Sequence, residues 1–317
     1  MTLGYWLGRI VRSVLVLFVV TVLVSAMTYI IPGDPALAIL GPEASPEQLA
    51  ELRHALGLDT GFLERYTTWI GNAFQGDLGL SFSSGRPVAA EFGERLPVTL
   101  QVVLMAEVLA LAIAVPLALY GAYRHGGWLD RLSSTGAFLL MAIPSFVIGL
   151  ILIWLFAVLL GWLPASGFVP FAEDPLGNLQ RMVLPVITLG LAEAAVYTRV
   201  LRGAVIESLE QPFAFAAQTR GASPSQLLWR TVLRPSSLPL LNLVGINLGV
   251  AFGGTLLVET LFALPGVGRL AISAIGNRDL PLIQGVVLFA ALAVVVMNMV
   301  VDVAQRFIDS RSERVTS

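Results

Sequence analysis

The feature that most limits the fold of this chain is a set of six apolar runs, each about 20 residues long or longer. A helix rises about 1.5 Å per residue and must cross roughly 30 Å of hydrocarbon, so runs of this length are typical of membrane-spanning helices. A helix also satisfies its backbone hydrogen bonds internally, which hydrocarbon requires. The predicted spans cover residues 13–31, 98–123, 132–160, 182–200, 238–258 and 282–304.

The composition agrees with a polytopic membrane protein. Hydrophobic residues make up 56% of the 317 residues and charged residues only 13%, whereas ordinary soluble domains carry about 25% charged residues. So few charges cannot cover a water-soluble surface, and so much apolar matter excludes a disordered chain. The net charge of −2 excludes a strongly basic nucleic-acid binder. We therefore expect an all-α polytopic membrane protein with six transmembrane helices.

The distribution of arginine predicts the orientation of these spans. Cytoplasmic loops carry an excess of Lys and Arg. The two termini, the connections after the second and fourth predicted spans and the adjoining end of the fourth span, at Arg199, hold 12 of the 19 Arg residues, and the longer remaining connections hold seven. Both termini and the 201–237 connection are therefore expected inside. A cleaved signal peptide at Val24-Ser25-Ala26 is the alternative for the first span, but the apolar run continues beyond the usual signal core.

The segment from 32 to 97 is expected outside and has the patterning of short helices. Ser45 is a suitable N-cap, Pro46 occupies the first helical position and Gln48 the third, which is close to a capping box. This pattern predicts a helix over 46–56. A second helix is predicted over 62–74, and it has an apolar stripe. The stripe is expected to pack on the preceding helix or to rest at the headgroups, and a docking surface for an external partner is the alternative. Its members are Phe62, Tyr66, Trp69 and Ile70.

Two missing residue types exclude several kinds of catalytic site. The chain has no Cys, which rules out disulfides and thiolate metal sites, and it has no Lys. Without Lys the chain cannot form a P-loop or a Schiff-base site. The sequence shows no Ser/His/Asp set and no metal cluster, so the chain is predicted not to be an enzyme and to bind no cofactor.

The 201–237 connection has a specific helical pattern. Residues 213–220 suit a helix, Gly221 ends it, and Ser223-Pro224 starts a second helix with a cap and a proline at its first position. Leu227, Leu228 and Val232 give the second helix an apolar face. Such helices need a partner that buries them.

This connection resembles the EAA loop of the permease subunits of ABC importers. The family pattern is Glu-Ala-Ala, three residues and Gly, followed by a hydrophobic stretch that ends near Leu and Pro. Here Phe215 stands in place of the Glu. By the resemblance, the residues that couple the chain to an ATPase are Phe213, Phe215, Ala216, Ala217, Arg220, Gly221, Leu233 and Pro235.

The rest of the chain is similar, in order, to the B-type permeases of dipeptide and oligopeptide ABC importers, a branch that includes nickel permeases. The exit from the first span reads Ile31-Pro32-Gly33-Asp34-Pro35, and the entry to the second reads Arg95-Leu96-Pro97. Further matching segments lie at 76–88, 161–167, 258–270 and 277–281. One departure is Asp309-Ser310-Arg311, where the branch often carries Asp-Pro-Arg.

The resemblance implies the type I permease fold and a division of the chain into four parts. These are the N-terminal end with the first transmembrane helix (1–31), an external helical segment (32–97), a core of five helices containing the coupling loop (98–305) and a cytoplasmic tail (306–317). It also implies a bacterial cytoplasmic membrane and peptide cargo, with nickel or another small solute as the alternative. The implied partners are a second permease, two cytoplasmic ATPases that bind ATP and Mg²⁺, and an external binding protein.

Three carboxylates and three glycines inside the predicted spans have two interpretations each. Glu107, Glu193 and Asp302 are expected to make structural hydrogen bonds or ion pairs, because a carboxylate deep in lipid costs about 2.5–3.5 kcal/mol. The alternative is proton coupling in a stand-alone carrier, or contact with the substrate. The glycines are spaced one helical turn apart and are expected to pack within the subunit, with a partner interface or a path-lining face as the alternative. They are Gly245, Gly249 and Gly253.

The orientation can be tested with single cysteines, because the chain has none of its own. A Ser45→Cys variant is expected to react with an impermeant maleimide in intact cells, and a Ser223→Cys variant is not. The measurement is maleimide labelling before and after the membrane is made permeable. Labelling of the Ser223→Cys variant from outside would contradict the predicted topology.

Overall fold

The computed structural model describes residues 3–30, 35–55 and 57–308 of the chain. The proline-glycine exit from the first predicted span and the departure at Asp309-Ser310-Arg311 lie outside these residues. Within the described part the chain is helical and has no β-strand. The helices are α1 (Leu3–Ile30), α2 (Pro35–Leu40), α3 (Pro46–Ala55), α4 (Phe62–Ala73), α5 (Val88–Tyr123), α6 (Trp128–Ala142), α7 (Ser145–Leu152), α8 (Pro175–Leu209), α9 (Pro212–Thr219), α10 (Pro224–Gln226), α11 (Leu233–Leu261), α12 (Val267–Gly276) and α13 (Leu280–Ile308).

Four of these helices are long and apolar enough to cross a membrane by themselves, namely α1, α5, α8 and α13. Two bent pairs raise the count to six if each pair is one span. The first pair, α6 with α7 and the π-helical turn that extends it to Leu159, bends by 101°. This break has a local cause: Pro144 forces the preceding Ile143 into an extended conformation, with φ −99° and ψ 124°.

The second bent pair joins α10 and the first part of α11 to the last turns of α11. Its two parts run to Gly249 and from Gly254, and the angle between them is 58°. Closely spaced glycines weaken the helix at this point, which is a common cause of kinks. The all-α class and the helical segment after the first span are thus present as predicted, and the third and fifth predicted spans are bent.

Local capping explains where the short helices begin. The Ser45 side chain accepts a hydrogen bond from the Gln48 amide, and the Gln48 side chain accepts one from the Ser45 amide. The same reciprocal pair forms between Ser223 and Gln226. Each pair satisfies two backbone N–H groups that a helix N-terminus leaves open. The predicted starts of α3 and α10 are therefore confirmed.

The chain divides into two compact units, the first formed by Met1–Val98 and Pro265–Val295. In this unit α5, α12 and α13 share an apolar core around Val88, Phe92 and Leu270. Gly285 permits the close packing here, since a Cβ at that position would lie 2.6 Å from Val88.

The aromatic stripe of α4 also packs within the first unit. Tyr66 is buried, its hydroxyl lies 3.0 Å from the Thr21 hydroxyl, and Phe18 meets its ring edge-on. Tyr66 therefore packs against α1. The sequence predicts packing on the preceding helix α3, and the hydroxyl and ring contacts of Tyr66 described above show that α1 packs against it as well.

The second unit comprises Thr99–Leu264 and Val296–Ser317. Its core is built on α5 and α8 and continues into α9, the π-helical turn after α10, and α11. The largest fully buried side chains of this core include Tyr197, Leu119, Leu201, Leu227 and Leu228. The same core thus holds the spans and the connection between α8 and α11.

The predicted glycine stripe lies on α11. Gly245 faces α13 of the same unit, because a Cβ added to it would lie 2.2 Å from Val301 Cγ2 and 2.9 Å from Val301 Cβ. Gly249 is buried, and Gly253 belongs to the same helix. The contact of Gly245 is therefore within the subunit, and an interface with a second permease has no support at this position.

Gly245 gives a direct test of this packing. A Gly245→Ala substitution is expected to destabilise the protein by about 1–3 kcal/mol, since β-branched Val301 cannot move aside easily. Gly254→Ala in the same helix is the matched control, because a Cβ there meets nothing within 4 Å. Thermal unfolding of the two purified variants checks the difference. Equal melting temperatures would contradict the α11–α13 contact.

Candidate functional site

The connection between α8 and α11, residues 210–232, is the segment that the sequence singled out as a coupling element. It consists of α9, a turn, α10 and a π-helical turn, Leu227–Val232, that leads into α11. The turn depends on Gly221, whose φ of +81° lies in the left-handed region that side chains disfavour. The predicted helix over 213–220 is confirmed with a shift of one residue, at 212–219.

The inner face of this connection is part of the core of the second unit. Ala214, Leu227, Leu228 and Val232 are fully or almost fully buried among residues of α5 and α8. Burying a large apolar side chain stabilises a fold by about 1.5–3 kcal/mol. The burial of these side chains therefore holds the connection firmly against α5 and α8. The 210–232 connection is thus a packed element and not a solvated linker.

The structure separates the predicted coupling residues into an inner and an outer set. Phe213, Ala217 and Leu233 pack inward against the core. Phe215 points outward and is 58% exposed. The exposed set also includes Arg220, Gly221 and Pro235, while Ala216 is half-buried. Ala217 therefore lies on a different side of α9 from Phe215, because a helix with period 3.6 turns the two residues apart, and its role in coupling stays a prediction.

A bidentate ion pair joins α8, the helix that leads into the 210–232 connection, to α6. Arg202 of α8 donates to both carboxylate oxygens of Asp130 in α6, at 2.5 and 2.9 Å. The Gly126 amide donates to the same carboxylate at 2.9 Å. Asp130 is 4% exposed, and bidentate pairs of this kind add geometric specificity to the energy of the contact. The 124–130 turn is thereby tied to α8 seven residues before that helix ends.

The carboxylates predicted inside the spans lie in different places. Glu107 of α5 and Glu193 of α8 come together, and the Tyr197 hydroxyl donates to Glu107 Oε2 at 3.0 Å. Asp302 lies elsewhere on α13 and is half-buried; the side chain of Arg306, its predicted partner, lies outside the described residues. In the described part of the chain no group of three or more Asp, Glu or His side chains could hold a metal ion.

A second anchoring carboxylate, in the first unit, ties the 80–87 loop to the start of α13. Asp279 is fully buried and accepts hydrogen bonds from the Ser81 hydroxyl at 2.6 Å and from the Ser83 amide and hydroxyl at 3.0 and 2.8 Å. It also caps α13 through the Leu282 amide at 3.3 Å. Burial raises the pKa of Asp279, but these donors outweigh it and leave the pKa below its ordinary value.

A cavity of about 780 Å³ lies beside this anchor in the first unit. It is lined by α4, by the 78–85 loop and by the start of α13. Polar and aromatic side chains face it, among them Arg65, Trp69, Asn72 and Gln284. Trp69 of the predicted stripe therefore faces a cavity, whereas Tyr66 of the same stripe is in the core.

Sequence reasoning missed both anchors. Asp130 and Arg202 are 72 residues apart and Ser81 and Asp279 are 198 apart, so no local spacing connects them. The only available signal was the resemblance of segments 76–88 and 277–281 to the B-type permeases. These segments contain Gly79, Ser81 and Asp279, but the resemblance assigns them no role.

Two family models for one kind of membrane transport component match this chain. The family model described as "Binding-protein-dependent transport system inner membrane component" matches residues 114–314, and the model for the N-terminal part of the same components matches residues 2–103. The "Glutathione transport system permease protein GsiC" of Escherichia coli K12 is 36% identical over 301 residues, covering 95% of this chain and 96% of that protein. The "Probable peptide ABC transporter permease protein y4tP" of Sinorhizobium fredii is 33% identical over 307 residues, covering 97% and 98%.

A solved structure shares the fold. It is titled "Inward facing conformations of the MetNI methionine ABC transporter", and it matches with a TM-score of 0.52 at 19% identity. The match covers 69% of this chain and 96% of that one. At this identity the similarity shows the fold and nothing finer, and it confirms the predicted permease fold.

The turn at Gly221 generates a prediction about the 210–232 connection. A Gly221→Val substitution is expected to cost about 1–2 kcal/mol through backbone strain alone, because a Cβ at this position meets nothing within 4 Å. Limited proteolysis within the connection should then rise about 5–30-fold. Gly221→Asn is the control, since Asn tolerates this conformation and should change the rate far less. Equal rates for both variants would contradict the strain argument.

The Asp279 anchor generates a prediction with a defined pH dependence. An Asp279→Asn substitution is expected to destabilise the protein by about 1–3 kcal/mol at neutral pH. Because the folded pKa lies below the ordinary value of about 3.9, the contribution is present above that value and is lost as pH falls through the folded pKa. Thermal unfolding from pH 7 to strong acid checks this, with exposed Asp59→Asn as control. A destabilisation that does not shrink in acid would contradict it.

Proposed function

The chain belongs to the family of binding-protein-dependent transport system inner membrane components, and we propose that it forms, with a second permease, the path through which an ATP-driven importer carries peptides into the cell. Two ATPase subunits on the cytoplasmic side drive the cycle. A binding protein outside the membrane delivers the cargo. The chain itself belongs to a family of permease components and carries no ATPase site.

The observation that carries this proposal is the two-sided character of the 210–232 connection. Its inner face is buried in the core of the second unit, and its outer face presents Phe215 with more than half of its surface exposed. A connection that needed only to join α8 to α11 would not require two further helices packed on the core. An element that is rigidly held on one side and open on the other suits docking into a groove of an ATPase.

The elements attached to the connection could transmit a movement of α9 to the membrane-spanning helices. α8 ends at Leu209 and only Glu210 and Gln211 connect it to α9, while the π-helical turn at 227–232 continues directly into α11. The Asp130–Arg202 pair adds α6 to the same assembly. Movement of α9 with a docked ATPase would therefore move three helices as a unit, as domain closure in other switching proteins moves packed helices.

The division of labour between subunits follows from the composition. The chain has no Lys, so the Gly-Lys-Ser/Thr ending of a P-loop cannot be formed here. Nucleotide and Mg²⁺ binding therefore belong to the partner ATPases in this proposal. The cavity of the first unit, on the side opposite to the ATPases in the predicted topology, gives the external binding protein a polar and aromatic surface to contact.

The relatives support peptide cargo. One relative is named for peptide and another for glutathione, itself a short peptide-like molecule. The chain matches each over nearly its whole length, which is why we extend the class of cargo, and not a particular peptide, to this chain. An ion-coupled stand-alone carrier would not need the 210–232 connection, and no similar protein reported above is named as one.

Phe215 gives a test of the docking proposal. A Phe215→Ala substitution is expected to weaken binding of the ATPase at least tenfold, because truncating an aromatic anchor at an interface costs about 2–4 kcal/mol. The fold should be unaffected, since the side chain is 58% exposed. Co-purification of the ATPase and substrate-stimulated ATP hydrolysis in reconstituted vesicles measure the effect.

Phe74→Ala is the matched control for this experiment. Phe74 is also an aromatic residue and is 88% exposed, but it follows α4 in the first unit. The control is expected to retain the ATPase in full. If Phe215→Ala retains the ATPase as well, α9 does not dock through its outer face and the proposed coupling is wrong.

A further inference from the structure

Glu107 is a carboxyl group buried inside the helix bundle of the second unit. Its side chain is on α5 and only 6% of the residue is exposed. The Tyr197 hydroxyl donates to Glu107 Oε2 at 3.0 Å, and the Asn247 side chain donates to the Tyr197 oxygen at 3.1 Å. Glu107 thus ends a chain of hydrogen bonds that begins on α11 and passes through α8.

A second carboxyl group approaches Glu107 from α8. The carboxyl of Glu193 interacts directly with that of Glu107, and Glu193 lies one helical turn before Tyr197 on the same side of α8. Gly190, one turn earlier on α8, makes this approach possible, because its missing side chain lets the backbone come close to Ala106 of α5. A Cβ at Gly190 would lie 3.0 Å from the Ala106 carbonyl oxygen. The backbone packing of α5 against α8 therefore brings the two carboxyls together.

Each of the two groups has one oxygen without a donor among the described residues. These atoms are Glu107 Oε1 and Glu193 Oε2, and both are buried. Ionised carboxylates are acceptors only, so two of them in contact could not bond to one another. Two like charges side by side in a medium of low dielectric constant also repel strongly. A hydrogen atom between the carboxyls removes both difficulties at once.

We propose that Glu107 and Glu193 form a proton-binding site, in which the two carboxyl groups hold one proton between them and so join α5 to α8. The titratable group that faces the pair is Tyr197 of α8, and Asn247 contributes a neutral amide from α11. The described residues place no third Asp, Glu or His beside the pair that would make it a cluster for a metal ion. The proposal does not depend on the transport function.

Substitution by glutamine tests this site, because an amide N–H can supply the hydrogen that the proton supplies. Infrared spectra of the purified, membrane-reconstituted importer are expected to show the carbonyl stretch of a protonated carboxyl group. Glu107→Gln and Glu193→Gln should each abolish that band, since the remaining carboxylate then accepts from the new amide. Tyr197→Phe should keep the band and shift its frequency, because it removes the hydroxyl that bonds to Glu107.

Glu94→Gln is the control for this experiment. Glu94 is an exposed carboxylate that pairs with Arg86, and its substitution should leave the band unchanged. Absence of the band in the wild-type protein would overturn the proposal, because both groups would then be ionised around some other cation. A band that survives both Gln substitutions would overturn it as well. Should a Gln variant fail to fold, a Tyr197→Phe spectrum without a shift would still contradict the proposal.

Discussion

Backbone hydrogen bonding sets the form of this chain, because hydrocarbon offers N–H and C=O groups no partner outside the protein. The long helices satisfy these groups internally, and each departure from a straight helix has a local cause. Pro144 breaks the third span after an extended Ile143, and the region between Gly249 and Gly254 bends the fifth. These two predicted spans therefore bend where proline or glycine permits it.

The same requirement applies to side chains and explains the buried polar pairs. The Thr99 hydroxyl donates to buried Glu259 at 2.6 Å, and the Asn178 side chain donates to the Val169 carbonyl at 2.7 Å. The Glu107–Tyr197–Asn247 chain follows this pattern and joins α5, α8 and α11. These buried polar residues thus join separate segments of the chain, because burying a polar group without a partner is costly.

Local features were predictable from the sequence and long-range pairs were not. The capping box at Ser45, the cap at Ser223 and the turn at Gly221 follow from residue type and spacing, and the structure confirms them. The direction of Phe215 depends on which face of α9 the core covers, and that is a tertiary property. The Asp130–Arg202 and Asp279–Ser81 anchors join distant segments, so periodicity could not reveal them.

The outer face of α9 is proposed to dock on an ATPase subunit, and a thiol beside Phe215 tests that contact while Phe215 itself stays in place. Because the chain has no cysteine, a Gln218→Cys substitution provides a single thiol. Gln218 lies about one turn after Phe215 on α9 and is exposed. The sharpest measurement is chemical cross-linking of this variant in the assembled importer, with Phe74→Cys as the comparison. We expect a cross-link from residue 218 to an ATPase subunit and none from residue 74. An active complex in which residue 218 cross-links to no ATPase subunit would rule out docking through this face.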